Sequence, residues 1–317
     1  MTAENLAATT PSLVVIGAGN WGRNLIRNLA DMGELAAIVE PFAANQAWVR
    51  EHFPAVPLHD NHQALLQDDR IKGACIATPA HTHFALAKDF IEAGKDAFVE
   101  KPITTSSAEA IALCELAEKH NRIVMTGHLL IYQPAISWLK EYLDSGALGQ
   151  LYSLHQRRAD LGRATQVENA LWALGVHDVA VLLYLIGQAP TQTTTHAHGA
   201  LRAAVAEDVY VHMTFASGLR AHLHNSWLWP VKERRLVVVG ERGMLTYDEL
   251  AQTITLNKRV IHADLSQSDD GSELLYTGHG QPLRLELEHF VECIRTRTTP
   301  KTSGRSAVEV IKVLESC

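Results

Sequence analysis

The feature that most constrains the fold is a glycine-rich turn near the start of the chain, Gly17-Ala18-Gly19-Asn20-Trp21-Gly22. It follows a short apolar run, Leu13 to Ile16, and opens a segment with helical spacing, Trp21 to Met32. Glycines let the backbone turn tightly after a strand and approach a pyrophosphate, and the third glycine lets helix and strand pack closely. The helix N-terminus then offers amide hydrogens and the positive end of its dipole to the phosphates. The pattern predicts a Rossmann-type unit that binds a dinucleotide.

The end of the second predicted strand indicates which dinucleotide is bound. This strand runs from Leu35 to Val39, and Glu40 closes it, 18 residues after Gly22. A carboxylate at this point accepts hydrogen bonds from the ribose hydroxyls and repels a 2′-phosphate, which favours NAD over NADP. The alternative is a solvated charge at the end of a strand. The residues predicted from this part of the chain to bind the cofactor are Gly17, Gly19, Asn20, Trp21, Gly22 and Glu40.

Two segments of different character follow one another along the chain. Residues 1–127 alternate short apolar strands with helical segments, which is typical of a doubly wound parallel sheet. After Gly127 the strands are longer and their side chains alternate, as in Leu151 to Arg158 and Val209 to Ala216, which predicts a large, mostly antiparallel sheet with one open face. We therefore expect an α/β Rossmann domain at 1–127 and an α+β domain at 128–317 for substrate binding and oligomerisation, with the C-terminal helices packing back on the body.

Composition excludes several classes of function. The 35 acidic residues outnumber the 28 basic ones, so the chain lacks the cationic surface of a nucleic-acid-binding protein. No apolar run approaches the roughly 20 residues needed to cross a bilayer, and Met1 to Thr10 lacks the features of a signal peptide. The four cysteines are scattered and the 17 histidines show no metal-binding spacing. We therefore expect a cytoplasmic protein with no metal, no nucleic-acid partner and no membrane association.

Further motifs add a family resemblance. They are Ala77-Thr78-Pro79-Ala80-His81-Thr82-His83, Glu100-Lys101-Pro102, Gly175-Val176-His177-Asp178, and a closing helix that contains Glu288 to Arg295. With the glycine-rich turn, and in this order, the motifs resemble the glucose–fructose oxidoreductase / inositol dehydrogenase (Gfo/Idh/MocA) family over nearly the whole chain. The resemblance implies an NAD-dependent dehydrogenase that acts on the CH–OH group of a sugar or a sugar nucleotide.

The resemblance also implies site residues. The cofactor is expected to contact Thr78, Pro79, His81, His83, Glu100 and Lys101, with Lys101 also at the substrate. An ammonium group beside a carbinol oxygen stabilises negative charge as the hydride leaves, so Lys101 is a predicted catalytic residue. Without the resemblance, a lysine that follows a buried strand would be interpreted as a surface residue.

His177 is the second predicted catalytic residue. In similar dehydrogenases a histidine here takes the hydroxyl proton, and its ordinary pKa of roughly 6.5 suits that task. An aspartate often lies one helical turn earlier, but this chain has Ala173. Asp178 points about 100° away around a helix and is a poor substitute. Proton transfer through His177 and a structural histidine therefore both remain open.

Three sequence segments in the second domain resemble a branch of the family that acts on nucleotide-linked sugars. Members of this branch are similar to UDP-N-acetylglucosamine or UDP-N-acetylglucosaminuronate 3-dehydrogenases. The segments are Arg158 to Arg163, Glu168 to Trp172 and Ser226 to Arg235. Arginine presents a planar fork to carboxylates and diphosphates, although surface or interface ion pairs are an equal alternative. The residues predicted to bind substrate are Lys101, His128, Tyr132, Arg158, Arg163, Asn169, Trp172 and His177.

Other interpretations remain open at this point. Within enzymes they are an inositol or free-sugar dehydrogenase and a 3-ketosugar reductase that runs in the opposite direction. In another class, Ala173 favours a non-catalytic NAD-binding regulator. His222 and His224 alternate with apolar residues and are expected on the open face of the second sheet. We expect that face to pair copies of the chain into a homo-oligomer, a dimer or a tetramer.

Overall fold

The computed structural model describes residues 11–162, 168–202 and 205–317. The chain divides into two compact units. Unit 1 contains residues up to His128 together with Leu283–Ile311, and unit 2 contains Leu129–Pro282 and Lys312–Cys317. The sequence-based division into 1–127 and 128–317 stays a prediction, and the structure groups most of the two C-terminal helices with unit 1.

The sheet of unit 1 has six parallel strands in the order β3-β2-β1-β4-β5-β6. Chain order reverses between β1 and β4, and open α/β sheets bind ligands beyond the carboxyl ends of their strands at such a point. The predicted doubly wound sheet is confirmed. The strands are β1 Leu13–Ile16, β2 Leu35–Val39, β3 Leu58–His59, β4 Gly73–Ile76, β5 Asp96–Glu100 and β6 Val124–Gly127.

Helices connect these strands. Every residue of β1, β4, β5 and β6 is buried, as expected for parallel strands that are covered on both faces. Helix α5 begins where Ser106 accepts a hydrogen bond from the backbone N–H of Glu109 at 3.2 Å, a standard N-cap. The helices are α1 Gly22–Asp31, α2 Ala43–His52, α3 Gln63–Leu66, α4 His83–Glu92 and α5 Ser107–Lys119.

The sheet of unit 2 has eight strands in the order β14-β13-β12-β11-β7-β10-β9-β8. Among the described residues of unit 2, only β7 and β10 pair in parallel, so the predicted mostly antiparallel sheet is confirmed. In β9, Val209, Val211 and Met213 are buried while alternate residues face outwards. The strands are β7 Leu151–Ala159, β8 Gln192–His198, β9 Asp208–Thr214, β10 Arg220–Ser226, β11 Glu233–Gly240, β12 Gly243–Asp248, β13 Thr253–Ile261 and β14 Gln267–Thr277.

Two helices belong to the interior of unit 2. Helix α6 spans Pro134–Asp144. A π-helical turn, Leu171–Gly175, is followed directly by α7, Val176–Ile186. Helix α7 ends at Gly187, whose φ of +75° is the left-handed conformation that closes many helices.

The last two helices are α8, Pro282–Thr296, and α9, Gly304–Glu315. Helix α8 lies on the sheet of unit 1, where the ring centroids of Phe290 and Phe98 are 5.7 Å apart. A Cβ atom placed on Gly73 of β4 would lie 3.2 Å from Ile294. The helix therefore runs across β4 and β5 on one face of that sheet.

Candidate active site

The glycine-rich turn has the shape that a dinucleotide needs. Gly17 adopts a φ of +98°, and a Cβ atom there would lie 2.8 Å from the carbonyl oxygen of Ala77. A Cβ atom on Gly22 would overlap the carbonyl oxygen of Gly17, so neither position admits a side chain. At Gly19, by contrast, no atom of the described residues other than Gly19 itself and its chain neighbours lies within 4 Å of the Cβ position, so this glycine faces open space. The turn therefore fits a pyrophosphate that approaches Gly19 at the start of α1.

Glu40 lies beside this turn. Its side chain is only 2% exposed, and its carboxylate accepts hydrogen bonds from the backbone N–H groups of Ala18 at 2.7 Å and Phe42 at 2.8 Å. The amide of Asn45 donates a third bond at 3.1 Å. Glu40 thus anchors the turn, and its predicted role at the ribose stays a prediction.

Glu100, the last residue of β5, connects the turn to the Glu-Lys-Pro segment. The indole Nε1–H of Trp21 donates to one carboxylate oxygen of Glu100. The backbone N–H of Lys101 donates to the other oxygen at 3.2 Å. Burial raises the pKa of Glu100 to about 7, against the opposing effect of the Trp21 hydrogen bond. A Cβ atom on Gly127 would lie 2.8 Å from the same carboxylate, so the neighbouring strand also holds Glu100 in place.

His83 ties two turns together at the same edge of the sheet. Its ring nitrogens lie 2.8 Å from the carbonyl oxygen of Pro102 and 2.9 Å from that of Thr78, and the residue is 1% exposed. Burial lowers the pKa of His83, so the ring is neutral near pH 7 and its single N–H donates to one of these two carbonyl oxygens. His83 therefore positions the backbone after β4 and β5. Pro79 and His81 are exposed in the turn after β4.

His128 follows β6 at the carboxyl edge of the sheet. It is 3% exposed, and neither ring nitrogen has a hydrogen-bond partner among the residues that the structure describes. Burial, aided by the charge of Lys101, lowers the pKa of His128 to about 4. A buried polar group without a partner is costly, so this neutral imidazole fits a ligand that supplies a hydrogen bond. Tyr132, near the start of unit 2, is a buried side chain.

In unit 2, His177 is the second residue of α7 and is half-buried. Asp178 next to it is fully buried and accepts hydrogen bonds from Gln156, Arg158 and Asn225 at 2.6–2.7 Å. Burial raises the pKa of Asp178, and the guanidinium of Arg158 opposes that rise. Asp178 therefore binds side chains of β7 and β10, as its angle around the helix implied. It does not replace the carboxylate missing at Ala173.

The structure places Arg158 inside an ion-pair network. The guanidinium is 8% exposed and lies 2.7 Å from Asp178 and 2.7 Å from Glu249. Within the described part of the chain, the hydrogen bonds of the guanidinium go to these two carboxylates, which favours the ion-pair alternative over substrate binding. Asn169 accepts a hydrogen bond from the backbone N–H of Trp172 at 3.0 Å and so caps the π-helical turn. Arg163 lies outside the described residues.

Two further residues, Glu249 and Glu286, were not among the site residues predicted from the sequence. Glu249 completes the Arg158 network from 91 residues away, and no local signal in the sequence marks it. Glu286 is a fully buried carboxyl group on α8. Its signal was available, because Glu286 lies on the apolar stripe that contains Phe290 and Cys293.

Comparison with known proteins decides the family. Residues 12–128 match the GFO_IDH_MocA description "Oxidoreductase family, NAD-binding Rossmann fold", and residues 136–246 match the "GFO/IDH/MocA C-terminal domain". The chain belongs to the Gfo/Idh/MocA family. It is an NAD-dependent oxidoreductase built on this fold, and the expected cofactor class is confirmed. In the described residues no helix is long and apolar enough to span a membrane.

Individual relatives point to sugar-type alcohols. The chain is 27% identical to a UDP-N-acetylglucosamine 3-dehydrogenase of Acidithiobacillus ferrooxidans, over 88% of this chain and 87% of the relative. It is 25% identical to scyllo-inositol 2-dehydrogenase (NAD(+)) of Bacillus subtilis, over 90% and 86%. It spans only 57% of inositol 2-dehydrogenase 2 of Saccharopolyspora erythraea. A putative oxidoreductase of Magnetospirillum magnetotacticum superimposes with a TM-score of 0.85 at 27% identity, over 98% of this chain and 100% of that one.

Proposed function

We propose that the protein transfers a hydride between NAD and C3 of a nucleotide-linked sugar of the UDP-N-acetylglucosamine or UDP-N-acetylglucosaminuronate type. The observation that carries the proposal is the chain of contacts from Trp21 through Glu100 to Lys101. It fixes the residue before the predicted catalytic lysine against the dinucleotide turn. Lys101 thereby follows β5 at the carboxyl edge of the sheet, where this class of fold binds its ligands.

The role of each site residue in this reaction follows from the chemistry of its side chain. NAD supplies the hydride acceptor when it is bound, held by Gly19 at the phosphates and Glu40 at the ribose. Lys101 is an ammonium donor that stabilises the developing alkoxide. His177 accepts the hydroxyl proton as a neutral imidazole. His128 offers a neutral nitrogen to a substrate hydroxyl, because its lowered pKa keeps it uncharged beside Lys101.

The substrate class rests on the relatives. The nucleotide-sugar dehydrogenase matches over nearly the full length of both chains, which favours this class. The inositol dehydrogenase of similar coverage makes an inositol or free sugar the alternative, and a 3-ketosugar reductase would use the same residues in reverse. The test is NADH formation with UDP- and dTDP-sugars against free sugars and inositols, with a 2-oxo acid added to recycle tightly held NADH. Tight NAD binding without turnover of any carbohydrate would instead indicate a regulator.

We also propose that copies of the chain associate through the open face of the sheet in unit 2. Three histidines lie directly opposite one another on adjacent strands of this face: His155, His222 and His212. The rings of His155 and His222 are 4.9 Å apart, and those of His222 and His212 are 5.0 Å apart. We call them the imidazole row.

A groove of about 480 Å³ on this face is lined by the row together with Arg157, Glu233 and Arg235. Uncharged imidazoles cost less to bury between copies than lysines or carboxylates. Light scattering on the purified chain tests the association, and a monomer at all concentrations would refute it. The cysteines are all free thiols, which supports the cytoplasm as the proposed location.

A further inference from the structure

Two carboxyl groups lie on one face of the sheet in unit 1. Phe98 and Glu100 are two residues apart in β5, so their side chains share a face, and α8 covers that face with Phe290 against Phe98. Glu286 is one helical turn before Phe290. Since Ile294, one turn after Phe290, reaches Gly73 at the start of β4, the opposite end of the stripe points towards the carboxyl edge. Glu286 is thereby directed towards Glu100.

Glu286 is the neutral member of this pair. It is 0% exposed, and neither of its oxygens has a hydrogen-bond partner in the part of the chain that the structure describes. Burial raises its pKa well above the ordinary value, and the nearby Glu100 raises it further. A carboxylate with no donor in so apolar a place would be very costly, so Glu286 is protonated.

Glu100 is the member that can exchange a proton. Trp21 and the backbone of Lys101 both donate to its oxygens, and these bonds favour the ionised form. Its burial favours the protonated form. These opposing effects nearly balance near neutral pH. A single charge added at the carboxyl edge of the sheet therefore decides the protonation state of Glu100.

Three other titratable groups lie around the pair. The charge of Lys101 lowers the pKa of Glu100. His128 has a pKa of about 4 and stays neutral. Burial and the two glutamates raise the pKa of the Cys75 thiol, which therefore also stays neutral. Glu100, with a pKa of about 7, therefore titrates near neutral pH, whereas His128 and Cys75 do not.

We propose that Glu100 is a proton-exchanging residue coupled to the charge of the nicotinamide: it releases its proton when NAD⁺ binds and keeps it when NADH binds, while Glu286 remains protonated. The inference rests on the proposed function, because it requires the dinucleotide at this edge of the sheet. The nicotinamide ring is positively charged in NAD⁺ and neutral in NADH, and only the positive ring favours a carboxylate. The two cofactor forms should therefore differ in the pH dependence of their binding.

The test is titration calorimetry of NAD⁺ and NADH binding near pH 7 in two buffers with different ionisation enthalpies. If NAD⁺ lowers the pKa of Glu100 by about one unit from about 7, the wild type releases about 0.4 proton per NAD⁺. NADH should release close to none. The affinity for NAD⁺ should rise about fivefold as the pH increases from about 6 to about 8, because binding that releases a proton strengthens with pH.

Three variants separate the contributions. Glu100→Gln should bind NAD⁺ without proton release, and Glu286→Gln, which is isosteric with the protonated acid, should release as much as the wild type. Glu51→Gln changes an exposed glutamate and is the surface control. Equal release in Glu100→Gln and the wild type, or equal release with NAD⁺ and NADH, would overturn the inference. If Glu100→Gln does not fold, the pH dependence of the wild-type affinities decides alone. Failure to bind NAD at all would instead refute the proposed function.

Discussion

Replacing Arg158 by methionine removes the centre of the buried ion-pair network in unit 2. Asp178, which is 0% exposed, would keep only Gln156 and Asn225 as donors. Removing one partner of a buried pair generally costs about 3–5 kcal/mol, because the remaining charge is left uncompensated. At about 2–4 °C per kcal/mol for a unit of this size, the melting temperature should fall by on the order of 10 °C.

The matched control is Arg157→Met on the same strand. Arg157 faces the open side, is 40% exposed and lies 3.1 Å from Glu233, and an exposed pair of this kind contributes about 0–1 kcal/mol. Thermal unfolding followed by circular dichroism compares the two variants at pH 7 and pH 5. Without the guanidinium, the pKa of Asp178 rises further above its unfolded value. The folded state then binds more protons, so the deficit of Arg158→Met should shrink as the pH falls.

Two results would refute this reasoning. One is an equal change in melting temperature for Arg157→Met and Arg158→Met. The other is an Arg158→Met protein of normal stability that has lost its affinity for a nucleotide sugar, since that outcome would return Arg158 to the substrate site.

Three further predictions concern the cofactor edge and the open face. Glu40→Ser should weaken NAD binding and relax discrimination against NADP in fluorescence titrations, and a wild type that already prefers NADP would contradict the role of Glu40. Gly127→Ala places a methyl group 2.8 Å from the Glu100 carboxylate, so it should weaken NAD binding and lower stability by about 1–3 kcal/mol, whereas an unchanged Kd and unfolding midpoint would show that the contact has no role. Burial and neighbouring imidazoles lower the pKa of His222, so assemblies that bury the imidazole row should separate between about pH 8 and about pH 5 in light scattering; a size independent of pH would place the interface elsewhere.

Much of unit 1 could be predicted because its signals are local. The bounds of β1 and β2 follow from apolar runs next to glycines and an acidic residue. In unit 2, strands β8 and β11 to β14 were not predicted. Strand β8 has the sequence QTTTHAH and β14 is largely exposed on both sides, so neither shows the alternation that marks a strand with one covered face.

The candidate site divides in the same way. Lys101 and His177 stand in motifs that are recognisable along the chain, so their selection needed no structure. The partners of Arg158 could not be predicted, because Asp178 and Glu249 reach it from 20 and 91 residues away. In the sequence, an arginine that pairs with protein carboxylates cannot be distinguished from an arginine that binds a diphosphate. The two roles are distinguished only by the side chains that the register of β7 against its neighbouring elements places beside the guanidinium.

Lys101 is expected to act at the reacting carbon rather than in cofactor binding or folding. The direct measurement is single-turnover NADH formation by the wild type and Lys101→Ala with the accepted sugar, beside calorimetric NAD binding by both proteins. We predict that the hydride-transfer rate falls at least about 10²-fold in Lys101→Ala, as for the loss of one donor to a developing oxyanion, while the Kd for NAD changes little. A variant that reduces NAD at close to the wild-type rate would contradict the central claim.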